Sequence, residues 1–433
     1  MGRTRRLQAV AFIGGSVKKK VLLKGPLLTR SGYGEQARFA LRALRSREDI
    51  CDIYIQPIQW GQTSWVNFQD EERLWIDRAI EKTIGYIQQG GGFDISLQVT
   101  IPNEWEKIAP VNVGYTAGIE TSRVAHEWLL KANEVVDKII VVSNHSKNVF
   151  QSTEYTGHDS QTKQSVQLTL QKPIHAVNYP VKEYSDLPEL ELNLEYDTNF
   201  VAVAQFGPRK NVPNTVKWFM EEFKDDEIGL VLKTNIAKNC LMDREKLRND
   251  LHQFLTPYRD HKCKVYLLHG NMTDAEMHSL YRHPKIKAYM TLAHGEGFGL
   301  PIFEAAYSGL PVIAPGWSGQ MDFLCDIKGK EQFYNVAFDI QPVQKEVVWP
   351  GVLVEESMWA FPRESSAKKK MRECYENLTD NTGFIATSCE YATELATRFE
   401  ATKQYAEFVS HVLPLEEMEN MAQEIDDLLD DLV

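Results

Sequence analysis

The sequence predicts an α/β protein built from two successive halves, each a parallel sheet flanked by helices. Short apolar runs rich in β-branched residues alternate with helical patterns along most of the chain, the order that βαβ units impose. The alternation restarts after residues 184–197, an acidic, leucine-rich stretch with no clean period. At 433 residues the chain is also too long for one core, so two units of about 200 residues are expected.

In the first half, apolar runs predict strands over residues 21–24, 52–56, 94–98, 111–115 and 138–142. Between and after them, helices fit 34–44, 71–87, 125–134 and 146–151. In the second half, strands are expected over 200–204, 229–233, 264–268, 288–292 and 311–314. Their helices fit 212–223, 244–255, 274–281, 301–308 and 366–376. Residues 388–433 look helical with a break at Pro414. The economical reading is two Rossmann-like domains, 1–190 and 191–387, with the site between them, followed by a helical segment, 388–433.

Composition narrows the function. The chain is 43% hydrophobic, 10% aromatic and 25% charged, which excludes disordered, collagen-like and disulfide-scaffold classes. No apolar run reaches the roughly 18 residues that a membrane helix needs. The six cysteines, Cys51, Cys240, Cys263, Cys325, Cys374 and Cys389, are scattered and are expected to be reduced core thiols of a cytoplasmic protein. The net charge of −12 is uneven. Residues 1–24 hold seven basic side chains and no acid, while residues 414–433 hold eight acids and no base. Residues 1–195 carry 23 basic and 23 acidic side chains, so the acidic balance belongs to the second half. The tail predicts an amphipathic helix with Met418, Met421, Ile425, Leu428, Leu429 and Leu432 on one side. The basic head (Arg3, Arg5, Arg6 and Lys18 to Lys20) keeps a nucleic-acid contact open.

Three segments carry chemistry. Lys24-Gly25-Pro26-Leu27-Leu28-Thr29-Arg30-Ser31-Gly32-Tyr33-Gly34 joins a strand to a helix, where amides at a helix start attract phosphate and Gly32, Tyr33 and Gly34 can approach a ligand closely. A tight turn that needs glycine for its dihedrals explains the same residues. His294-Gly295-Glu296-Gly297-Phe298-Gly299-Leu300-Pro301-Ile302-Phe303-Glu304 is a strand end, a three-glycine loop and a helix with proline in its first turn. Amides from Gly297, Phe298, Gly299 and Leu300 can face an anion while Glu296 faces the neutral part of the same ligand. Gln205-Phe206-Gly207-Pro208-Arg209-Lys210 follows the first strand of the second half and offers fixed cations.

The glycine-rich segment resembles the signature of retaining glycosyltransferases of the GT-B fold, glycosyltransferase family 4 in particular, in which two glutamates are separated by seven residues. Glu296 and Glu304 have that separation. The resemblance covers roughly residues 22–376. It implies that Glu296 holds hydroxyls of a donor sugar, Glu304 the ribose of its nucleotide, and His294 the sugar or diphosphate. Lys210 fits the family's lysine. The family's arginine position falls on Gln205 or Phe206, a departure for which Arg209 can compensate. Lys233, ending a strand, is a further family-like cation. Tyr115 and Glu120, in Val113-Gly114-Tyr115-Thr116-Ala117-Gly118-Ile119-Glu120, fall on the acceptor side, where many relatives carry a histidine that this chain lacks. The family also returns its C-terminal helices to the N-terminal domain, and this segment is a candidate for oligomer contacts.

The activity implied is transfer of a sugar from a nucleotide-sugar, such as a UDP- or GDP-sugar, to an acceptor hydroxyl with retained configuration, without a metal or other cofactor. Candidate acceptors are a glycan, a lipid-linked sugar, a small molecule, a protein, or hydroxymethylated bases in DNA. Two other readings stand beside it. A glycoside hydrolase using Glu296 and Glu304 would need carboxyls about 5 to 9.5 Å apart. A non-catalytic binding module could occupy the same scaffold.

Overall fold

The computed structural model of the chain describes residues 18–158, 165–380 and 382–414. The arginines of the basic head and the acidic tail expected to form a helix lie outside these residues.

The first half begins with β1 (Lys19–Gly25), α1 (Gly32–Arg45), β2 (Cys51–Pro57) and α2 (Glu71–Gln88). It continues through β3 (Ile95–Val99), β4 (Val111–Thr116), α3 (His126–Val135), β5 (Lys138–Val141) and α4 (Asn144–Ser152). An antiparallel hairpin, β6 (Tyr155–His158) and β7 (Ser165–Leu168), precedes the edge strand β8 (Ile174–Ala176). The parallel sheet has the order β2-β1-β3-β4-β5-β8. Residues 177–198 then cross between the halves without regular structure, as their mixed acid and leucine pattern predicts.

The second half holds β9 (Asn199–Gln205), α5 (Val212–Glu222), β10 (Gly229–Asn235), α6 (Leu241–Leu255), β11 (Lys264–Leu268) and α7 (Asp274–Tyr281). It closes with β12 (Ile286–Met290), α8 (Leu300–Tyr307), β13 (Val312–Pro315), α9 (Met321–Leu324) and β14 (Tyr334–Val336). Its parallel sheet has the order β11-β10-β9-β12-β13-β14. A hairpin of β15 (Phe338–Pro342) and β16 (Met358–Pro362) leads into α10 (Glu364–Asp380), α11 (Thr382–Arg398) and α12 (Ala401–Val412).

The predicted strands agree with those of the structure to within a few residues. The edge strands β8 and β14 are missed because three residues carry no readable period. Both sheets are buried on two faces, which is why β9 is a nearly continuous apolar run and β1 has Val21, Leu22 and Leu23 at its centre. The chain ends by returning to its start: Phe408 of α12 packs edge-on against Phe39 of α1 at 5.2 Å and lies 4.9 Å from the ring of Tyr115. All six cysteines are free, but Cys240 and Cys389 are exposed, which corrects the expectation of six core thiols.

The strand orders place the site. In each sheet the order reverses at one point, between β1 and β3 in the first half and between β9 and β12 in the second. Open parallel sheets bind ligands beyond the carboxyl ends of their strands at such a switch point, where adjacent loops diverge and leave a crevice.

Candidate active site

The loops after β9 and β12 meet at the switch point of the second sheet, and they bring together the residues with the strongest chemistry. Arg209 and Lys210 sit in a 3₁₀ turn after β9, stopped by Asn211 in the left-handed region. Glu296 lies in the loop after β12, and α8 begins immediately beyond it with Gly299 at a φ of 98° and Pro301 in its first turn. That dihedral is available to glycine at little cost. The Glu296 backbone N–H donates to Ser318 Oγ at 2.8 Å, and its carbonyl accepts from Gly319 at 2.9 Å, so the loop is fastened from behind.

The Glu296 carboxylate is 7% exposed for the whole residue and is held by two cations. Arg209 Nη1 donates to Oε2 at 3.0 Å and to the Gly295 carbonyl at 2.7 Å, while Lys210 Nζ binds Oε1. Burial alone would raise this carboxyl, but the two cations outweigh it and hold Glu296 below the ordinary carboxylate range. The same burial draws the Lys210 ammonium below its usual value, with Glu296 opposing and Arg209 assisting.

The first half closes over this cluster. Glu120 Oε1 lies 3.3 Å from Arg209 Nη2, so the residue that the sequence places on the acceptor side pairs with the arginine that it places on the donor side. Ser143 Oγ donates to the Gly297 carbonyl at 2.6 Å, and Asp322 Oδ2 accepts from the Asn144 backbone at 2.8 Å. The backbones approach so closely that a Cβ on Gly295 would lie 2.2 Å from the Glu120 carbonyl oxygen. In the first sheet's loop, Gly34 donates to the N-cap Ser31, Gly32 is exposed, and Tyr33 Oη lies 2.8 Å from Thr116 Oγ1.

A second pair of cations faces the cleft. Lys233, at the end of β10, donates to the Gly270 carbonyl at 2.6 Å, and burial followed by the charge of Arg30 pushes its ammonium down to about 8. Arg30 donates to the Met272 carbonyl at 3.0 Å and leaves Nε buried without a hydrogen-bond partner among the described residues. Two cations of which one lowers the other's titration, each spending a donor on a carbonyl, form a place for an anion.

Glu304 stands apart from this group. It accepts from Tyr281 Oη at 3.2 Å in a cavity of about 320 Å³, where Lys182 from the crossing segment bridges Glu35 and Asp274 at 2.6 Å each. Burial is the main cause that lifts Glu304 to about 7. Lys182 opposes it, and Asp274 and Glu35 add to the shift. His294 is buried with Nδ1 2.7 Å from the Ala360 carbonyl and its ring stacked on Trp359, so strand packing already accounts for its position. Phe298 packs on Phe303 and Phe323, leaving its backbone for the loop. Tyr115 is fully buried beneath α12. It belongs to the core rather than to the acceptor side, because β4 directs it away from the cleft towards the returning helix.

No protein-family profile and no curated protein matches the chain by sequence. Solved structures do match by shape. HepE of Anabaena, crystallised with UDP and glucose, superimposes with a TM-score of 0.57 at 13% identity, over 91% of this chain and 99% of its own. The chain has the GT-B fold. A glycosyltransferase from Rickettsia africae matches with a TM-score of 0.57 at 12% identity, over 93% of this chain and 99% of its own. Sucrose-phosphate synthase of Thermosynechococcus elongatus matches at 0.53 and 12%, over 96% and 100%. Within this GT-B chain, sequence reasoning missed Lys182 and Arg30. Arg30 had a signal, its place in a strand-to-helix loop, whereas Lys182 depends on how the halves meet.

Proposed function

We propose that this protein transfers a sugar from a nucleotide-diphosphate sugar, most directly a UDP-sugar, to an acceptor hydroxyl, with retention and without a metal ion. The carrying observation is Glu296, an ionised, nearly buried carboxylate in a glycine loop at the switch point, clasped by Arg209 and Lys210. Leaving-group departure from a sugar-nucleotide develops charge on the diphosphate, and preorganised cations stabilise that charge best when they need no reorganisation. Arg209, Lys210, Lys233 and Arg30 supply four such cations from the carboxyl ends of both sheets, which is the basis for a reaction without a metal. Glu296 then orients sugar hydroxyls beside the breaking bond. Glu304, on the helix α8 that follows the Glu296 loop, is the proposed ribose contact. Attack from the face that the leaving diphosphate vacates gives retention, with the diphosphate accepting the acceptor's proton. The UDP and glucose bound to HepE support a uridine donor by structural likeness.

Incubation with a panel of UDP- and GDP-sugars, scored for donor hydrolysis and transfer, tests the reading. Glu296→Gln is expected to lower turnover by about 10²-fold or more with UDP affinity retained within a few-fold. An unaffected rate would sink the assignment, and UDP binding with no turnover by the wild type on any donor would favour a binding module.

A further inference from the structure

The mouth of the cleft carries a second pocket that no part of the transfer chemistry uses. The loop between β2 and α2 folds back on β1's exit: Val66 N–H donates to the Leu28 carbonyl, and Arg30 N–H to that of Ser64. It faces the loops after β10 and β11 across a cavity of about 400 Å³, a size typical of small-ligand sites. The lining is unusual in kind. Gln59, Gln62 and Asn67 come from the first half, Asn239 and Asn271 from the second, and Trp65 lies beside them. Lys238 is the single charged residue among the lining side chains.

We infer that this pocket binds the acceptor, and that the acceptor is an uncharged saccharide. The inference rests on the transfer reading for the word acceptor, but the pocket's chemistry stands on its own. Primary amides each offer donors and acceptors, which matches a ligand presenting several hydroxyls. Trp65 is 45% exposed and gives such a ligand an apolar face to lie on. One acceptor is already waiting: Asn239 Oδ1 is buried with no hydrogen-bond partner among the described residues, while Asn239 Nδ2 donates to Asn271 Oδ1 at 2.7 Å and its backbone N–H to Ser64 Oγ at 3.2 Å. An orphaned buried acceptor costs free energy that a sugar hydroxyl would recover. The loop also reaches towards the proposed reaction centre, because the Trp60 ring lies tilted against Tyr33 with centroids 4.2 Å apart and the Tyr33 hydroxyl accepts from Ala117 N–H at 3.3 Å. A polyanionic acceptor such as DNA would call for a row of cations, and this lining has one.

Saturation-transfer NMR without donor, using maltotriose, mannotriose, chitotriose and a duplex containing 5-hydroxymethylcytosine, tests the proposal. At least one trisaccharide is expected to bind the full chain, with Trp65→Ala and Asn239→Ala each weakening it tenfold or more. Both positions lie in loops, and thermal melts confirm that the variants fold. UDP affinity, measured by calorimetry, is expected to stay within threefold. Binding of the duplex alone, no trisaccharide binding, or variants within twofold of wild type would overturn the proposal. Loss of UDP binding in both variants would overturn it too, assigning the pocket to the donor's base. A wild type that binds trisaccharide but no sugar-nucleotide would sink the donor reading and leave the saccharide site standing.

Discussion

Lys233 shows how a single side chain reports on its missing partner. Its ammonium is pushed down to about 8 by burial and by Arg30, and it has no carboxylate partner among the described residues. A diphosphate arriving between the two cations would favour the charged form, so binding and protonation are linked. Near pH 7 Lys233 is mostly charged and the UDP phosphates are mostly ionised, so affinity is expected to be near its highest there. As pH rises from 8 to 10 the site must take up a proton to bind, and affinity is expected to fall by about tenfold or more. Lys233→Arg removes the dependence while keeping affinity, and Lys233→Ala binds weakly at every pH. Calorimetric titration of UDP across this range checks it, and a flat wild-type profile would refute the role. The position of Lys233 was legible in the sequence, since a lysine ending an apolar strand of an α/β sheet falls at the ligand-facing edge. The perturbation was not, because it depends first on the burial of the ammonium and then on Arg30 arriving from the other half.

At the scale of elements, the glycine loop before α8 was the most legible part of the site and also the part whose purpose sequence could least explain. Three glycines around a glutamate signal close approach, but not to what. The answer is the backbone of the first half: the Glu120 carbonyl stands 2.2 Å from where a Gly295 Cβ would be, and the Ala117 carbonyl 2.7 Å from that of Gly297. Backbone oxygen cannot swing aside as a side-chain end can, so Gly295→Ala must separate the two loops. Overpacking of this kind costs about 1 to 3 kcal/mol, and it should break the Arg209–Glu120 pair as well. Gly207→Ala provides the contrast, since nothing lies within 4 Å of its Cβ position and its backbone is extended. Chemical denaturation is expected to show a lower midpoint for Gly295→Ala and none for Gly207→Ala. Equal midpoints would mean that the halves do not close on this loop in solution. The short strands β8 and β14 and both hairpins escaped prediction for the opposite reason: their residues carry no period, and only neighbouring strands define them.

At the scale of the whole molecule, the chain folds as a loop that closes on itself. After two halves, α11 packs on α8 of the second and α12 crosses to α1 of the first. The GT-B resemblance made this return legible, but the residues that secure it were not, because Tyr115 looked like a cleft residue until α12 covered it. The uneven charge takes on a different meaning in this frame. The first half is neutral by sequence and receives α12, which is buried through Phe408, Val409 and Val412, so an apolar face rather than charge attraction holds the return. Phe408 sits between Phe39 and Tyr115, both fully enclosed, and its removal would leave a cavity that two rings of the first half cannot fill. Truncating a buried phenylalanine to alanine costs about 3 to 5 kcal/mol. Phe408→Ala is therefore expected to lower stability by that amount and to loosen the first half before the second. Hydrogen exchange should show protection lost first in β4 and α1, with β9 and β10 unaffected. Protection lost uniformly would show that the halves unfold as one unit, and a cost below about 1 kcal/mol would show that α12 rests on the first half without helping to hold it.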